Sequence, residues 1–292
     1  MLLTPQAIDR VVTAALAENA PWGDATSDAF LPEGATATAR LVAREPGILS
    51  GGEVFARAMS AAHPATVTTL ELNDGDLFVP GEVLATVTGP AAGVLLGERV
   101  SLNLVQRMSG IATLTASYVA AVEGTGARIV DTRKTTPGLR ALERHAVRSG
   151  GGGNHRFSLS DAVLAKDNHL AVLTASGISL TDAIMRARAR ISHTTHLEVE
   201  VDRLDQIEPV LAGGVDTIML DNFSLDELRE GIAIVAGRAL VEASGGVNLD
   251  TVRAIAETGV DIISVGALTH SARALDLGLD VTFVDPPAGG AA

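Results

Sequence analysis

ARIVDT (residues 127–132), AVLAKD (162–167), HLEVEV (196–201), TIMLDN (217–222), ALVEAS (239–244) and IISVGA (262–267) are six short apolar runs in the second half of the chain. Most intervals between them hold an amphipathic helical stretch, such as Leu225 to Ala236 or Leu249 to Thr258. Strand and helix in alternation build a parallel sheet, because a parallel neighbour is reached only through a crossover. The predicted class is therefore α/β, with a barrel of TIM-like type. Each run carries polar or glycine residues towards its C-terminal end: Asp131, Lys166, Glu200, Asp221, Glu242 and Gly266. In a parallel barrel those ends share one rim, the rim on which barrel enzymes place their chemistry.

Upstream the texture differs. Thr4-Pro5 makes an N-cap and first-turn pair ahead of Ile8, Val11, Val12, Ala15 and Leu16 at helical spacing, a helix that ends before Pro21. Residues 35–87 hold short β-rich runs, ATATARLVA, TVTTLEL and EVLATVT, with one short helix near Val54 to Ala62. Leu96, Val100, Leu104, Met108, Ile111, Leu114, Tyr118 and Val122 then form the apolar stripe of a long helix from Val94 to Val122, expected to link two domains. The expected organisation is an N-terminal α/β domain over 1–110, a barrel domain over 111–284 and a disordered tail over 285–292, where DPPAGGAA has no pattern.

Composition narrows the partners. The 292 residues carry 22 Lys plus Arg against 35 Asp plus Glu, a formal charge of −13, which opposes non-specific binding to nucleic acid. No cysteine is present, which removes disulfides and thiolate metal sites. No apolar run approaches the roughly 20 residues of a bilayer span, so neither membrane insertion nor secretion is expected and the cytoplasm is the predicted location.

Of the basic residues, 20 are Arg and only two are Lys, Lys134 and Lys166. Their survival points to positions that need a compact, rotatable ammonium. Seven cations against Asp131 and Glu143 crowd residues 128–156, so an acidic molecule concentrates positive charge in one stretch, as capture of a small polyanion requires. Arg140, Arg144 and Arg148, at four-residue spacing, read as a solvated helix face. Arg133, Lys134, His155 and Arg156 flank a strand exit and the glycine loop 150–153, where forked and planar donors suit carboxylates or phosphates. In HLEVEV, Glu198 and Glu200 project to one side of a strand and Leu197, Val199 and Val201 to the other, placing both carboxylates inside the barrel. With Asp221 and no cysteine, such oxygens favour a hard cation, Mg2+ over Zn2+. His193 and His196 read as a surface pair ahead of that strand. The turns at Ser244-Gly245-Gly246 and Gly266 expose backbone amides where barrels hold a phosphomonoester. A phosphorylated sugar carrying a diphosphate fits this row of groups.

Through GERVSLNLVQRMSGIAT (97–113), DTRKTTPGLRALERHAVRSGGGGNHR (131–156), LAKDNH (164–169), LEVEV (197–201), MLDN (219–222), VEASGGV (241–247) and ISVGAL (263–268), the chain resembles the quinolinate phosphoribosyltransferase family, also called carboxylating nicotinate-nucleotide pyrophosphorylases. The resemblance implies an N-terminal open α/β sandwich, an incomplete six-stranded α/β barrel, and homodimers or assemblies of dimers that share active sites. It implies phosphoribosyl transfer from phosphoribosyl pyrophosphate to quinolinate with decarboxylation, giving nicotinate mononucleotide, CO2 and pyrophosphate in NAD biosynthesis. By motif, Arg133, His155 and Arg156 would hold the quinolinate carboxylates, and Arg99 would reach in from the partner subunit. Lys134 and Lys166 would meet the sugar phosphate and its leaving diphosphate. Glu200 and Asp221 would bind ribose hydroxyls and Mg2+, with Glu200 preferred to Glu198 as the motif's second glutamate. Ser244, Gly245, Gly246 and Gly266 would cradle the 5′-phosphate. Other readings are a related transferase or pyrophosphorylase-like paralogue with another base, a Schiff-base aldolase using Lys166 or Lys134, and a non-catalytic phosphoribosyl-ligand sensor.

Overall fold

The structure is a computed structural model and describes residues 3–174 and 177–284. In chain order the first elements are α1 (Pro5–Asn19), α2 (Ala25–Phe30), β1 (Thr36–Ala43), β2 (Gly47–Ile48), α3 (Gly52–Ala62), β3 (Val67–Leu70), β4 (Leu77–Phe78), β5 (Val83–Pro90) and α4 (Ala91–Ala121). They are followed by β6 (Arg128–Val130), α5 (Arg140–Ser149), β7 (Val163–Ala165), α6 (Asp167–Thr174), α7 (Leu180–Arg190), β8 (Leu197–Val201), α8 (Ile207–Ala212) and β9 (Thr217–Asp221). The chain continues through α9 (Leu225–Val235), β10 (Leu240–Ser244), α10 (Val252–Ala256), β11 (Ile262–Ser264), α11 (Ala267–His270) and β12 (Leu277–Val284). The residues 285–292 expected to form a tail lie outside the described residues.

Two compact units emerge, one made of Met1–Ala116, Thr135–Gly151 and Thr269–Ala292, the other of Ser117–Lys134 and Gly152–Leu268. In the first, Thr4 Oγ1 caps α1 by accepting the Ala7 N–H at 3.3 Å, and Ile8 and Val12 face inward. An antiparallel sheet runs in the order β12-β1-β5-β3. Leu41, Phe55, Met59, Phe78, Leu84 and Leu277 pack together in its core. Midway along α4, Gly110 lies so close to Arg273 that a Cβ would collide with the Arg273 carbonyl, which explains a residue that costs a helix about 1 kcal/mol.

The strand β12 was not legible in the sequence. It enters from the far end of the chain and pairs with β1 from Thr36↔Val284 to Ala43↔Leu277. The solvated face expected for Arg140, Arg144 and Arg148 needs correction: Arg148 is exposed, but Arg144 is only 7% exposed and lies with Leu142, Glu143, Ala146 and Val147 on the buried side of α5. Four-residue spacing defines a common side of a helix without saying what that side meets. Beside it, buried Glu143 bonds Arg107 at 2.9 Å and accepts the Thr136 hydroxyl at 2.7 Å.

The second unit holds the six expected strands as a wholly parallel sheet in the order β6-β11-β10-β9-β8-β7. From β7 to β11 neighbours in the chain are neighbours in the sheet, and β6, the first of the six, pairs with β11, the last. That is a barrel's circular order, left open between β6 and β7. Val199, Ile218, Leu220, Val241 and Ile263 are buried, as in a sheet whose outer side is covered by helices. Ser224 and Glu227 cap α9 reciprocally, and Leu228 and Val235 form its buried side. Among the described residues no helix is long and apolar enough to cross a membrane.

Candidate active site

Asp131 directly follows strand β6, and its carboxylate has no exposed surface. Its two oxygens accept the His155 backbone N–H and the Asn154 side-chain amide, each at 2.8 Å. Gly153 runs alongside β6, donating its N–H to the Ile129 carbonyl at 2.7 Å. The glycine loop thereby becomes an extension of the open edge, and its two cationic residues are fixed relative to the strand ends.

A cavity of about 620 Å³ opens at these strand ends. Arg133, Lys134, Arg156 and Lys166 line it with Glu200, Asp221 and Glu242, and Ser244, Gly245 and Gly246 close another part of its wall. Ten of the residues singled out from sequence thus meet His155 around one space. Gly266 is not among the lining residues, although Ser264 of the same strand exit is. Exposed Arg99 lines a separate cavity of about 710 Å³ within the first unit, with Arg10, Glu18, Asn103 and Pro137. His193 and His196 are exposed, and His196 Nε2 meets Thr217 Oγ1 at 2.9 Å.

On the rim, the Lys166 ammonium contacts Glu200 Oε2 at 2.6 Å, with the lysine 45% exposed. An ion pair this open is worth little to stability and is free to exchange its partner for a ligand. Asn222 donates its amide to Asp221 Oδ2 at 2.8 Å and its backbone N–H to the Ser244 carbonyl at 2.9 Å. Its own backbone is left-handed, with φ 59°. Gly245, with φ 94°, passes so close that a Cβ would collide with Asn222 Oδ1. Only glycine satisfies both the backbone angle and the contact. Asn222 was missed from sequence; the signal was an Asn after the strand-end Asp, a residue type that tolerates the left-handed region.

Deeper in the barrel, His155 Nε2 lies 3.0 Å from Glu198 Oε2 and 3.5 Å from Glu242 Oε2. These carboxylates are 4% and 1% exposed. Strand alternation correctly predicts Glu198 and Glu200 on one side of β8; their depth separates them, Glu200 at the rim against Lys166 and Glu198 in the interior against His155. Burial and then the Glu198 charge push the Glu242 carboxyl up to about 8, with His155 opposing. Burial by itself would lower the His155 pKa, but its hydrogen bond to Glu198 and the charges of Glu242 and Glu198 outweigh that and raise it. Arg156 is lowered, first by burial and then by the neighbouring Arg133 charge, while Glu198 pulls the other way. Desolvated cations held together bind an anion more strongly than the same groups in water.

Two sets of residues could be considered for a cation. The ligand atoms of His155, Glu198 and Glu242 lie within 4.8 Å of one another. However, His155 Nδ1 accepts the Arg156 N–H at 2.7 Å, so the ring proton belongs on Nε2, the atom a metal would need. That set does not fit a metal ion. Glu200 and Asp221 offer oxygens alone and both border the cavity, a donor set that suits a hard divalent ion.

The quinolinate phosphoribosyl transferase N-terminal domain matches residues 24–109 and the C-terminal domain of the same family matches residues 111–280. A probable carboxylating nicotinate-nucleotide pyrophosphorylase of Bacillus subtilis is 43% identical over 266 residues, covering 91% of this chain and 90% of the relative. The carboxylating nicotinate-nucleotide pyrophosphorylase of Mycobacterium leprae is 43% identical over 276 residues, covering 92% and 95%. Among solved structures, NadC from Streptococcus pyogenes superposes with a TM-score of 0.92 at 40% identity, covering 98% of this chain and all of that one. With both halves matched and such relatives along nearly its full length, the chain belongs to the quinolinate phosphoribosyl transferase family.

Proposed function

We infer that this chain transfers the phosphoribosyl group of phosphoribosyl pyrophosphate to the ring nitrogen of quinolinate and releases CO2, making nicotinate mononucleotide and pyrophosphate for NAD biosynthesis. The observation that carries this reading is one cavity combining four cations, two rim carboxylates and a glycine turn with exposed amides. Two anionic reactants need that many positive groups, and a ribose needs carboxylates for its hydroxyls.

In this reading Arg133, His155 and Arg156 take the pyridine carboxylates, the two arginines through their planar forks, with Arg99 of a second copy contributing to the same substrate. Lys134 and Lys166 hold the diphosphate, Lys166 turning from Glu200 towards the leaving group. Ser244, Gly245 and Gly246 cradle the 5′-phosphate, with Gly266, two residues beyond the cavity-lining Ser264, completing the cradle. Glu200 and Asp221 hold the ribose hydroxyls and Mg2+, which when bound supplies positive charge to the diphosphate oxygens. As the ring nitrogen forms its bond to the anomeric carbon, the bond from that carbon to the diphosphate oxygen breaks, and the electron pair leaves on the diphosphate. The residues position both partners and stabilise the departing charge; none acts as a covalent nucleophile. The positive charge of the alkylated nitrogen then stabilises the electron pair left on the adjacent ring carbon as CO2 departs, and that carbon takes up a proton, so decarboxylation is chemistry of the intermediate. A homodimer or an assembly of dimers with shared sites, acting in the cytoplasm, completes the proposal.

The test is a product assay. With Mg2+, phosphoribosyl pyrophosphate and ring-labelled quinolinate, nicotinate mononucleotide and CO2 form in equal amounts. Turnover of nicotinate but not quinolinate would place the chain with a related transferase. Tight binding of phosphoribosyl pyrophosphate with no turnover would identify a sensor.

A further inference from the structure

Asp221 is the last residue of β9 and Ser244 the last of β10, and the two are directly paired in the parallel register. One residue further on, the Asn222 backbone N–H extends that ladder by donating to the Ser244 carbonyl at 2.9 Å. Beyond it both strands turn left-handed, at Asn222 with φ 59° and at Gly245 and Gly246 with φ 94° and 61°. A single side chain stands between the two turns. Asn222 gives its amide N–H to Asp221 Oδ2 at 2.8 Å, and its amide oxygen lies so close to Gly245 that a Cβ there would collide with it.

The backbone by itself does not ask for asparagine. Glycine takes a left-handed φ without steric cost, so a side chain kept at this position has another use. Glu200, Asp221 and Asn222 line the 620 Å³ cavity and also a second cavity of about 780 Å³ whose wall includes Asp202, Arg203 and Asp205. The last torsion of a carboxyl side chain is broad, and a carboxylate on a wall common to two cavities can face either. An amide bound to one of its oxygens sets the carboxyl plane and leaves the charge intact. A lysine in its place would cancel that charge, and an acid would repel it.

We propose that Asn222 is a positioning residue for the phosphoribosyl half of the site: its amide N–H aims Asp221 at the ribose hydroxyls, while its amide oxygen holds the Ser244-Gly245-Gly246 turn in the shape that presents backbone N–H groups to the 5′-phosphate. One side chain thereby fixes the spacing between the groups that meet the two ends of a ribose 5-phosphate. This deepens, and rests on, the reading of Asp221 and of that turn as the phosphoribosyl subsite.

Calorimetric binding to the full-length protein tests it, with nicotinate mononucleotide as the ligand that carries both ribose and 5′-phosphate and pyridine-2,3-dicarboxylate as the ligand that carries neither. Asn222→Gly relaxes the backbone and removes the amide; Asn222→Asp keeps the shape and sets a second charge beside Asp221. Both are expected to raise Kd for the mononucleotide at least about tenfold, the usual worth of a hydrogen bond to a charged group, with Kd for the dicarboxylate within about twofold of wild type. Gly245→Ala introduced into Asn222→Gly, where the side-chain atoms its Cβ would strike are gone, should weaken mononucleotide binding less than Gly245→Ala does in the wild-type protein. An Asn222→Gly protein that binds the mononucleotide as tightly as wild type overturns the proposal, because asparagine would then serve only the left-handed backbone. Equal weakening of both ligands overturns it too, as does a Gly245→Ala effect of the same size in both backgrounds. If the wild-type protein binds no nicotinate mononucleotide, the functional reading fails by itself, and a crystal structure of Asn222→Gly still decides the positioning. An Asp221 carboxyl and a Gly245–Gly246 peptide turned away from their wild-type orientations support it, and unchanged orientations overturn it.

Discussion

Glu242→Gln separates a buried acid from a buried amide of nearly the same shape, and the consequence for stability can be worked out. The native Glu242 carboxyl is raised to about 8 from 4.5, first by burial and then by the Glu198 charge. A group whose pKa is higher in the folded state keeps its proton there after the unfolded chain has lost it. Its contribution is therefore complete below the unfolded pKa and is lost as pH climbs to the folded one. At about 1.4 kcal/mol for each pH unit of that interval, the wild-type protein loses about 3 to 4 kcal/mol between about pH 5 and pH 8 through this residue. Glutamine has no proton to lose, so the variant escapes this fall. At about 2–4 °C per kcal/mol, the Tm of Glu242→Gln relative to wild type should rise by about 10 °C across the same range. Thermal unfolding followed by circular dichroism at the two pH values measures it. Parallel pH dependence of the two proteins would refute the reasoning, since Glu242 would then be ionised in the fold, its charge balanced by the neighbouring His155.

Lys134→Ala and Lys166→Ala are expected to lower kcat by about a hundredfold or more while leaving the circular dichroism spectrum unchanged; normal turnover in either removes that lysine from the leaving-group site. Gly245→Ala forces a Cβ against Asn222 at φ 94°, so KM for phosphoribosyl pyrophosphate should rise by at least about tenfold with KM for quinolinate nearly unchanged; equal effects on both would show that the turn does not hold the phosphate. Mixing inactive Arg99→Ala with inactive Lys166→Ala under conditions of subunit exchange should restore part of the activity, because one mixed site then carries both wild-type residues. Exchange confirmed by mass spectrometry without recovery would count against sharing.

The residues that carry the site were legible to different degrees. Lys134 and Lys166 stood out because the chain otherwise uses arginine, and both line the cavity. Glu200 and Asp221 stood out because each closes an apolar run. Glu242 was visible as a strand-end acid, but the spacing of ALVEAS carries no sign that its carboxyl is almost wholly buried beside a second one. Arg144 shows the same limit, since its period is that of Arg148 and its burial is opposite.

What the chain determined by itself is periodic and local: a two-residue alternation in LEVEV, a helical stripe in α4, a capping pair at Ser224 and Glu227, and glycine where the backbone turns left-handed. These are set by the geometry of neighbouring residues and need no other part of the molecule. Tertiary structure decided what depends on distance through space: that β12 pairs with β1, that the six-strand sheet stays open between β6 and β7, and that His155, Glu198 and Glu242 meet in its interior. Residues 43 and 87 positions apart from one another become neighbours only when the strands close up, and burial at that meeting point, absent from any single segment, sets their protonation.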